Sequence, residues 1–241
     1  MAIIIFLFGL AVGSFLNCLI YRLTPHHFFV KSGGGLGGRS YCPHCQHRLD
    51  FWDLIPVLSF LFLLGKCRYC QQKISWQYPL VEIFTGLIFL LIFNFQLSII
   101  NFIIAPFLII IFVYDLKHYI IPDKIIYPAI VIAAIFNFTN WLSALGVAAF
   151  FLAMVLLSRG KWMGVGDVKL AFLIGLILGF PSILVALFLA FITGAIIGIG
   201  LIISGKKSLK SEVPFGPFLI SGTFIAMFWG QQIINWYLNF L

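Results

Sequence analysis

The charged residues of this chain fall into four clusters, and the long stretches between them contain no Asp, Glu, Lys or Arg. The clusters cover residues 22–82, 115–124, 159–169 and 206–212. Both ends of the chain are uncharged as well. Because an ionised side chain is costly inside a lipid bilayer, the uncharged stretches are the candidate membrane-spanning segments.

Three of the uncharged stretches are too long for one crossing, since a transmembrane helix needs about 20 residues. Each has an interruption of Asn, Gln, Gly or Pro near its middle and is therefore predicted to form two helices joined by an uncharged turn. The stretches are residues 83–114, 125–158 and 170–205, and the interruptions lie at residues 94–96, 137–140 and 179–182. With one span at each end of the chain, the pattern predicts eight transmembrane helices.

The first apolar segment, residues 1–23, is predicted to be a retained span. A cleaved signal peptide is the alternative. A signal peptide carries a positively charged region before its apolar core, whereas this segment has no charge before Arg22.

Composition supports a membrane protein and excludes a soluble one. Hydrophobic residues make up 62% of the 241 residues and charged residues 9%, and the mean hydropathy is +1.12. Soluble domains carry about 25% charged residues. Lipid must therefore be the solvent for most of the chain, and the predicted fold is an all-α polytopic membrane protein.

The formal net charge of +8 predicts the orientation in the membrane. Lys and Arg are enriched in cytoplasmic loops, so all four charged clusters are expected on the cytoplasmic side and both termini outside. Attraction to anionic lipid accounts for these charges beside a membrane. A nucleic-acid-binding function is not expected.

The one large segment outside the predicted spans is a loop, residues 24–79, with two C-x-x-C pairs. The pairs are Cys42 with Cys45 and Cys67 with Cys70, separated by 21 residues. Two such turns can supply a tetrahedral four-sulfur site, so a structural zinc knuckle is predicted. Disulfides are the alternative, but thiols on the cytoplasmic side stay reduced. A redox C-x-x-C is typical of a βαβ context, which this pattern lacks.

The same loop contains a glycine-rich run at residues 32–38. No strand pattern precedes it and no helix pattern follows, so a flexible linker is predicted rather than a phosphate-binding loop. No role is assigned to His26 and His27. The predicted organisation is a first span (1–23), a cytoplasmic zinc-binding loop (24–79) and a helical membrane domain (80–241).

Acidic residues at the edges of predicted spans are the candidate catalytic groups. Asp115 ends one span and Asp167 begins another. If those helices pack together, the two carboxyls share one proton and can divide the roles of general base and general acid, as in aspartic proteases. Gly164 and Gly166 leave the backbone beside Asp167 bare, which lets a substrate strand or a neighbouring helix approach.

Three other interpretations of these acids remain open. Asp115, Asp123 and Asp167 could cap helices or form ion pairs with nearby lysines, Asp167 as an N-cap being one example. The membrane-edge acids could also form the coupling site of an ion- or proton-coupled transporter. A non-catalytic zinc-bearing membrane scaffold is the third possibility. The lysines that could form the ion pairs of the first interpretation are Lys117, Lys124 and Lys169.

Several segments resemble the bacterial type IV prepilin peptidases, which are bifunctional leader peptidases and N-methyltransferases. The resemblance extends over nearly the whole chain, and its most specific part is the Gly-x-Gly-Asp signature shared with other intramembrane aspartyl proteases. The segments are GSFLNCLIYR (13–22), RSYCPHC (39–45), GKCRYC (65–70), YPLVE (78–82), DLKHYIIPD (115–123), GVGDVKL (164–170) and PFGPF (214–218).

The resemblance implies a specific activity. Asp115 and Asp167 would be the catalytic pair, and Asp123, Gly164, Gly166 and Lys169 would be supporting residues. The substrate would be a type IV prepilin or pseudopilin, cut on the cytoplasmic face of the inner membrane after a glycine and before its hydrophobic helix.

The resemblance also implies methylation of the new N-terminal amine, with S-adenosylmethionine as the methyl donor. Gly65 and Lys66, beside the second C-x-x-C pair, match the family's methyltransferase region. No glycine fingerprint of a dinucleotide-type fold accompanies them, so methylation is expected from the resemblance alone.

Overall fold

A computed structural model of the chain describes residues 1–23, 40–160, 163–205 and 213–240. The described residues form nine α-helices and two short 3-10 turns, and no strand beyond two isolated β-bridges. The all-α prediction is therefore confirmed. The helices are α1 (Ala2–Leu23), α2 (Leu58–Phe62), α3 (Gln77–Asn94), α4 (Ile99–His118), α5 (Asp123–Phe136), α6 (Trp141–Ser158), α7 (Val165–Leu178), α8 (Ser182–Ile203) and α9 (Gly216–Phe240), and the 3-10 turns are Phe51–Leu54 and Phe138–Asn140.

The predicted breaks in the three long apolar stretches are confirmed. Helix α3 ends at Asn94, α5 is separated from α6 by a 3-10 turn, and α7 ends just before Gly179. Gly179 has a φ of +64°, and Asn140 donates a hydrogen bond of 2.9 Å to the carbonyl of Leu176. The polar residues of these interruptions therefore terminate helices and satisfy their last carbonyl groups.

Six of the described helices are long and apolar enough to cross a membrane. Helices α5 and α7 have 14 residues each, about 21 Å at the usual rise, which is shorter than a bilayer core of about 30 Å. Helices thus occur at all eight predicted places, and the number of spans stays a prediction. The six are α1, α3, α4, α6 extended back to Phe138, α8 and α9.

The chain divides into two compact units, and the first runs from Met1 to Ile109. Its helices α1 and α3 approach closely at glycines. A Cβ at Gly9 would lie 2.8 Å from the Cα of Gly86, and one at Gly13 would lie 2.7 Å from the Cα of Glu82. Small residues allow membrane helices to pack backbone against backbone, which explains these positions.

The second unit runs from Ile110 to Leu241, and α7 lies at its centre. Helix α7 packs against α5, α6 and α9, and α8 packs against α9. The α7 side chains from Leu170 to Leu176 are almost entirely buried. A Cβ at Gly175 would lie 2.5 Å from the Cα of Ala144, so α6 and α7 touch through their backbones. A short helix enclosed by protein is tolerated at membrane depth.

Candidate active site and metal centre

Asp115 lies in the last turn of α4 with its side chain buried, since the residue is only 4% exposed. Tyr119 ends the helix with a φ of +58° and donates its N–H to the carbonyl of Asp115 over 2.9 Å. The side-chain Oδ2 is buried and accepts no hydrogen bond from the described residues. A buried carboxyl oxygen without a donor is costly and therefore marks a functional candidate.

Asp167 lies in the first turn of α7 and is half-buried. Gly164 is the residue that caps this helix, and Asp167 Oδ2 accepts a hydrogen bond of 3.2 Å from its N–H. The interpretation of Asp167 as the N-cap is therefore wrong by three positions. Its carboxyl instead reaches back across the first turn, where a negative charge is stabilised by the helix dipole.

Both acids lie in the second unit, Asp115 in the last turn of α4 and Asp167 in the first turn of α7. Their assignment as a catalytic pair stays a prediction. Two carboxyls that lie close together share a proton and can act as an acid–base pair on a water and a carbonyl group. Asp115 and Asp167 have the residue types that such a pair requires.

The two glycines of the Gly-x-Gly-Asp segment have different surroundings. A Cβ at Gly166 would lie 3.3 Å from the Cβ of Ile121, which belongs to the link between α4 and α5. A Cβ at Gly164 would meet only Asp167 Oδ2 and the N of Gly166, both at 3.9 Å. The bare backbone at Gly166 therefore admits a neighbouring segment of the same chain, whereas Gly164 is exposed among the described residues.

Asp123 and Lys169 form an ion pair with each other. Asp123 Oδ1 lies 2.6 Å from Lys169 Nζ, and the ammonium group also stands 4.8 Å from the ring centre of Tyr127. The two side chains are 60% and 25% exposed. These contacts join α5 to α7, and they give Asp123 the ion-pair role that the sequence left open.

The four loop cysteines converge, as predicted. Their sulfur atoms all lie within 4.8 Å of one another, and the Sγ atoms of Cys42 and Cys70 are 3.9 Å apart. Four sulfurs around a metal at a bond length of about 2.3 Å would stand about 3.8 Å apart. The donor set and the spacing therefore fit a tetrahedral metal ion.

Both C-x-x-C segments fold into the same turn. The N–H of Gln46 donates to the backbone carbonyl of Cys42 over 2.9 Å, and the N–H of Gln71 donates to the backbone carbonyl of Cys67 over 3.0 Å. Gln46 and Gln71 each have a φ of +57°. Burial opposes ionisation of the Cys67 thiol, but the backbone N–H groups of Cys70 and Tyr69 lower its pKa to about 7. At Cys67, backbone N–H groups directed at sulfur stabilise the thiolate that a metal requires. At Cys70 the N–H of Gln72 acts in the same direction, but burial and the neighbouring cysteine side chains raise its pKa to about 11.

Gly65 and Lys66 are part of this knuckle. Gly65 has a φ of +69°, its carbonyl accepts a hydrogen bond of 2.7 Å from Ile74, and a Cβ there would lie 3.1 Å from the ring of Phe60. Lys66 forms an isolated β-bridge with Lys73. The described contacts of both residues belong to the turn itself and define no binding site for S-adenosylmethionine.

Comparison with known families decides the identity of the chain. Residues 7–95 match the bacterial peptidase A24 N-terminal domain, and residues 102–199 match the type IV leader peptidase family. Proteins named prepilin leader peptidase/N-methyltransferase are similar to it over nearly its full length. The chain belongs to the type IV leader peptidase family.

Three of these relatives come from different bacteria. The protein of Legionella pneumophila is 35% identical, with 100% of this chain and 95% of the relative covered. That of Aeromonas hydrophila is 33% identical, covering 99% and 94%, and that of Bacillus subtilis (strain 168) is 32% identical, covering 98% and 97%. No solved structure matches the chain.

Sequence reasoning gave no role to two residues, Gly216 and Glu82, although both lie in segments that resemble the family. Gly216, at the start of α9, would place a Cβ 2.5 Å from Asp115 Oδ2. Glu82 is buried in α3, and its Oε2 accepts the N–H of Val57 over 2.8 Å. The signal for Glu82 was a charge six positions inside an apolar helix. The segment PFGPF marked Gly216 by resemblance, but its contact with Asp115 joins residues about 100 positions apart and could not be read from the sequence.

Two predictions fall outside the described residues. The glycine-rich run at residues 32–38 and the pair His26 and His27 lie in the part of the chain that is not described. Their assignments as linker and as residues without a role therefore stay as predicted.

Proposed function

We propose that this chain is an intramembrane aspartyl endopeptidase that removes the leader peptide of type IV prepilin-like precursors. The observation that carries the proposal is that Asp115 and Asp167, a buried and a half-buried carboxyl, lie at the ends of two helices of the same unit. The names of the relatives support the substrate class. None of the matched families or relatives named above is a transporter.

The proposed reaction follows the division of labour between two close carboxyls. One carboxylate accepts a proton from water as it attacks the scissile carbonyl, and the other carboxyl donates a proton to the carbonyl oxygen. Asp115 Oδ2, which lacks a hydrogen-bond donor, is free to accept from that water. As the C–N bond breaks, the first carboxyl passes its proton to the leaving amine and the second takes a proton back from a hydroxyl of the tetrahedral intermediate, so the pair returns to its starting state.

The proposed substrate enters as a strand followed by an apolar helix. The exposed backbone of Gly164 gives an extended segment access to Asp167, while the hydrophobic helix of the precursor stays in the bilayer. We place this site on the cytoplasmic face of the bacterial inner membrane, with both chain termini outside, because of the distribution of Lys and Arg.

We further propose that the new N-terminal amine is methylated from S-adenosylmethionine, as the relatives' names suggest. S-adenosylmethionine would supply the methyl group. Because Gly65 and Lys66 define no site for it among the described residues, their role in methylation stays a proposal from family resemblance.

The four-cysteine cluster is proposed to hold a structural zinc ion. The loop has few buried side chains of its own, so a metal would supply the stability that a small core cannot. The ion would fix the two turns in position and take no direct part in proteolysis.

The peptidase assignment is tested with single substitutions of the two acids. Asp115→Asn and Asp167→Asn should each lower the rate of prepilin cleavage by about 100-fold or more, the usual contribution of a general acid or base. Purified variants are compared on one prepilin by gel shift, with the exposed Asp50→Asn as control. Cleavage by either active-site variant at the rate of Asp50→Asn would exclude the proposed pair.

A further inference from the structure

The carboxyl group of Asp115 lies directly against the backbone at the start of α9. A Cβ placed on Gly216 would stand 2.5 Å from Asp115 Oδ2 and 3.2 Å from Cγ. Real Cβ atoms essentially never approach another atom more closely than 3.0 Å. With the carboxyl in its present position, only glycine therefore fits at residue 216.

The requirement for glycine is spatial and does not come from backbone conformation. The φ of Gly216 lies outside the left-handed range, unlike that of Gly65 or Gly179. Alanine could adopt this backbone and is the better helix former. The carboxyl of Asp115 is the feature that an alanine side chain would meet.

Neither side of this contact can easily move away. Asp115 is 4% exposed, so its carboxyl has little room to swing aside. Phe215, next to the glycine, stacks on Phe191 at 5.2 Å and on Phe151 at 6.2 Å between ring centres. These aromatic contacts hold the start of α9 against α8 and α6.

We propose that Gly216 is a positioning residue, whose missing side chain lets the Asp115 carboxyl rest against α9 at the distance from Asp167 that catalysis needs. The inference rests on the proposed peptidase function. Gly216 acts through Asp115 and takes no part in proton transfer. A methyl group at this position displaces the carboxyl from its place against α9, and a displacement of about 1 Å can cost about 100-fold in rate.

The kinetic test compares two glycine-to-alanine variants of the full chain. Gly216→Ala should lower kcat for prepilin cleavage by about 100-fold while KM changes by less than about threefold, because binding is intact and only the reacting geometry is lost. Gly198→Ala is the matched control, since a Cβ at this helical glycine of the same unit meets nothing within 4 Å. A kcat loss below tenfold, or a loss carried by KM alone, overturns the proposal.

A stability cycle tests the contact independently of activity. Asp115→Ala, Gly216→Ala and the double variant are compared with the wild-type chain by thermal unfolding in detergent. Gly216→Ala should lower Tm by several degrees when Asp115 is present and by nothing measurable when residue 115 is alanine, because the clash is then absent. Equal losses in both backgrounds would overturn the proposal.

The two experiments fail in distinguishable ways. If the wild-type chain cuts no prepilin, the proposed function is wrong, but the stability cycle still decides whether Gly216 accommodates Asp115. If Gly216→Ala alone does not accumulate in membranes, the proposal requires that the double variant with Asp115→Ala does, and failure of both to accumulate contradicts it.

Discussion

The two carboxyls of the proposed active site are held in different ways by their neighbours. Asp167 receives the N–H of Gly164, whereas Asp115 Oδ2 has no donor among the described residues and rests on Gly216. One acid thus accepts a hydrogen bond within its own helix turn, and the carboxyl of the other lies against Gly216, whose backbone N–H also acts on it. Because the second contact joins residues about 100 positions apart, sequence reasoning selected both acids but gave Gly216 no role.

The third acid of the region has a structural role. Asp123→Asn should lower the free energy of unfolding by less than about 1 kcal/mol, because its ion pair with Lys169 is largely exposed and screened by water. Prepilin cleavage should fall by no more than a few-fold. Thermal unfolding and a cleavage assay measure the two effects, with Lys169→Met as the matched partner variant.

The paired variants also define the outcome that would change this assignment. If Asp123→Asn abolished cleavage while Lys169→Met did not, Asp123 would belong to the catalytic machinery rather than to an ion pair.

At the scale of helices and loops, the pattern of charge and hydropathy predicted most of the architecture. The turns near Asn94, Asn137 and Gly179 were predicted because residues poorly suited to a helix interior interrupt stretches too long for one span. Helix α2 was not predicted, because its five residues are almost all apolar and show no alternation of apolar and polar positions that would indicate a helix. The pairing of Asp123 with Lys169 also required tertiary structure, because lysines nearer in sequence were equally available.

One loop contact gives a prediction for Glu82. Val57 has a φ of +60°, a strained conformation for a β-branched residue that costs on the order of 1–3 kcal/mol. The Glu82 carboxylate accepts the Val57 N–H and thereby stabilises the start of α2. Glu82→Gln replaces a charged acceptor by a neutral one, so the free energy of local opening should fall by about 1 kcal/mol.

Hydrogen exchange measures this effect directly. A peptide covering residues 51–64 should exchange several-fold faster in Glu82→Gln than in the wild-type chain, while peptides of the second unit should not change. Unaltered exchange in that peptide would show that Glu82 does not stabilise the loop.

The cysteine cluster gives a prediction about metal content. Replacing any one of Cys42, Cys45, Cys67 or Cys70 by serine should remove the bound zinc from the purified protein, because a four-sulfur site loses a required ligand. Methylation should be impaired more than proteolysis, since the knuckle carries the segment that matches the methyltransferase region. Cys18→Ser in α1 is the control and should retain the metal.

Elemental analysis of each purified variant checks the zinc site. Wild-type protein without zinc, or a full zinc content in all four serine variants, would contradict it.

At the scale of the whole molecule, two compact units correspond closely to two family matches. The matches end at residue 95 and begin at residue 102, on either side of the turn between α3 and α4, and the structural division falls at Ile109. The placement of charges in the sequence predicted a membrane protein and selected the candidate acids. The predicted domain boundary at residue 80 was drawn where the polar loop ends, and it stays a prediction. Substrate class and methylation came from family resemblance, because no spacing of residues specifies a pilin.

The most direct measurement is the intact mass of a prepilin coexpressed in bacteria with this chain. With the wild-type protein, the account predicts a pilin that lacks its leader and carries one added methyl group at the new N-terminus. With Asp167→Asn, it predicts the uncut precursor. An uncut precursor beside the wild-type chain, or a mature pilin beside Asp167→Asn, would contradict the claim that Asp115 and Asp167 form the catalytic pair of a prepilin peptidase.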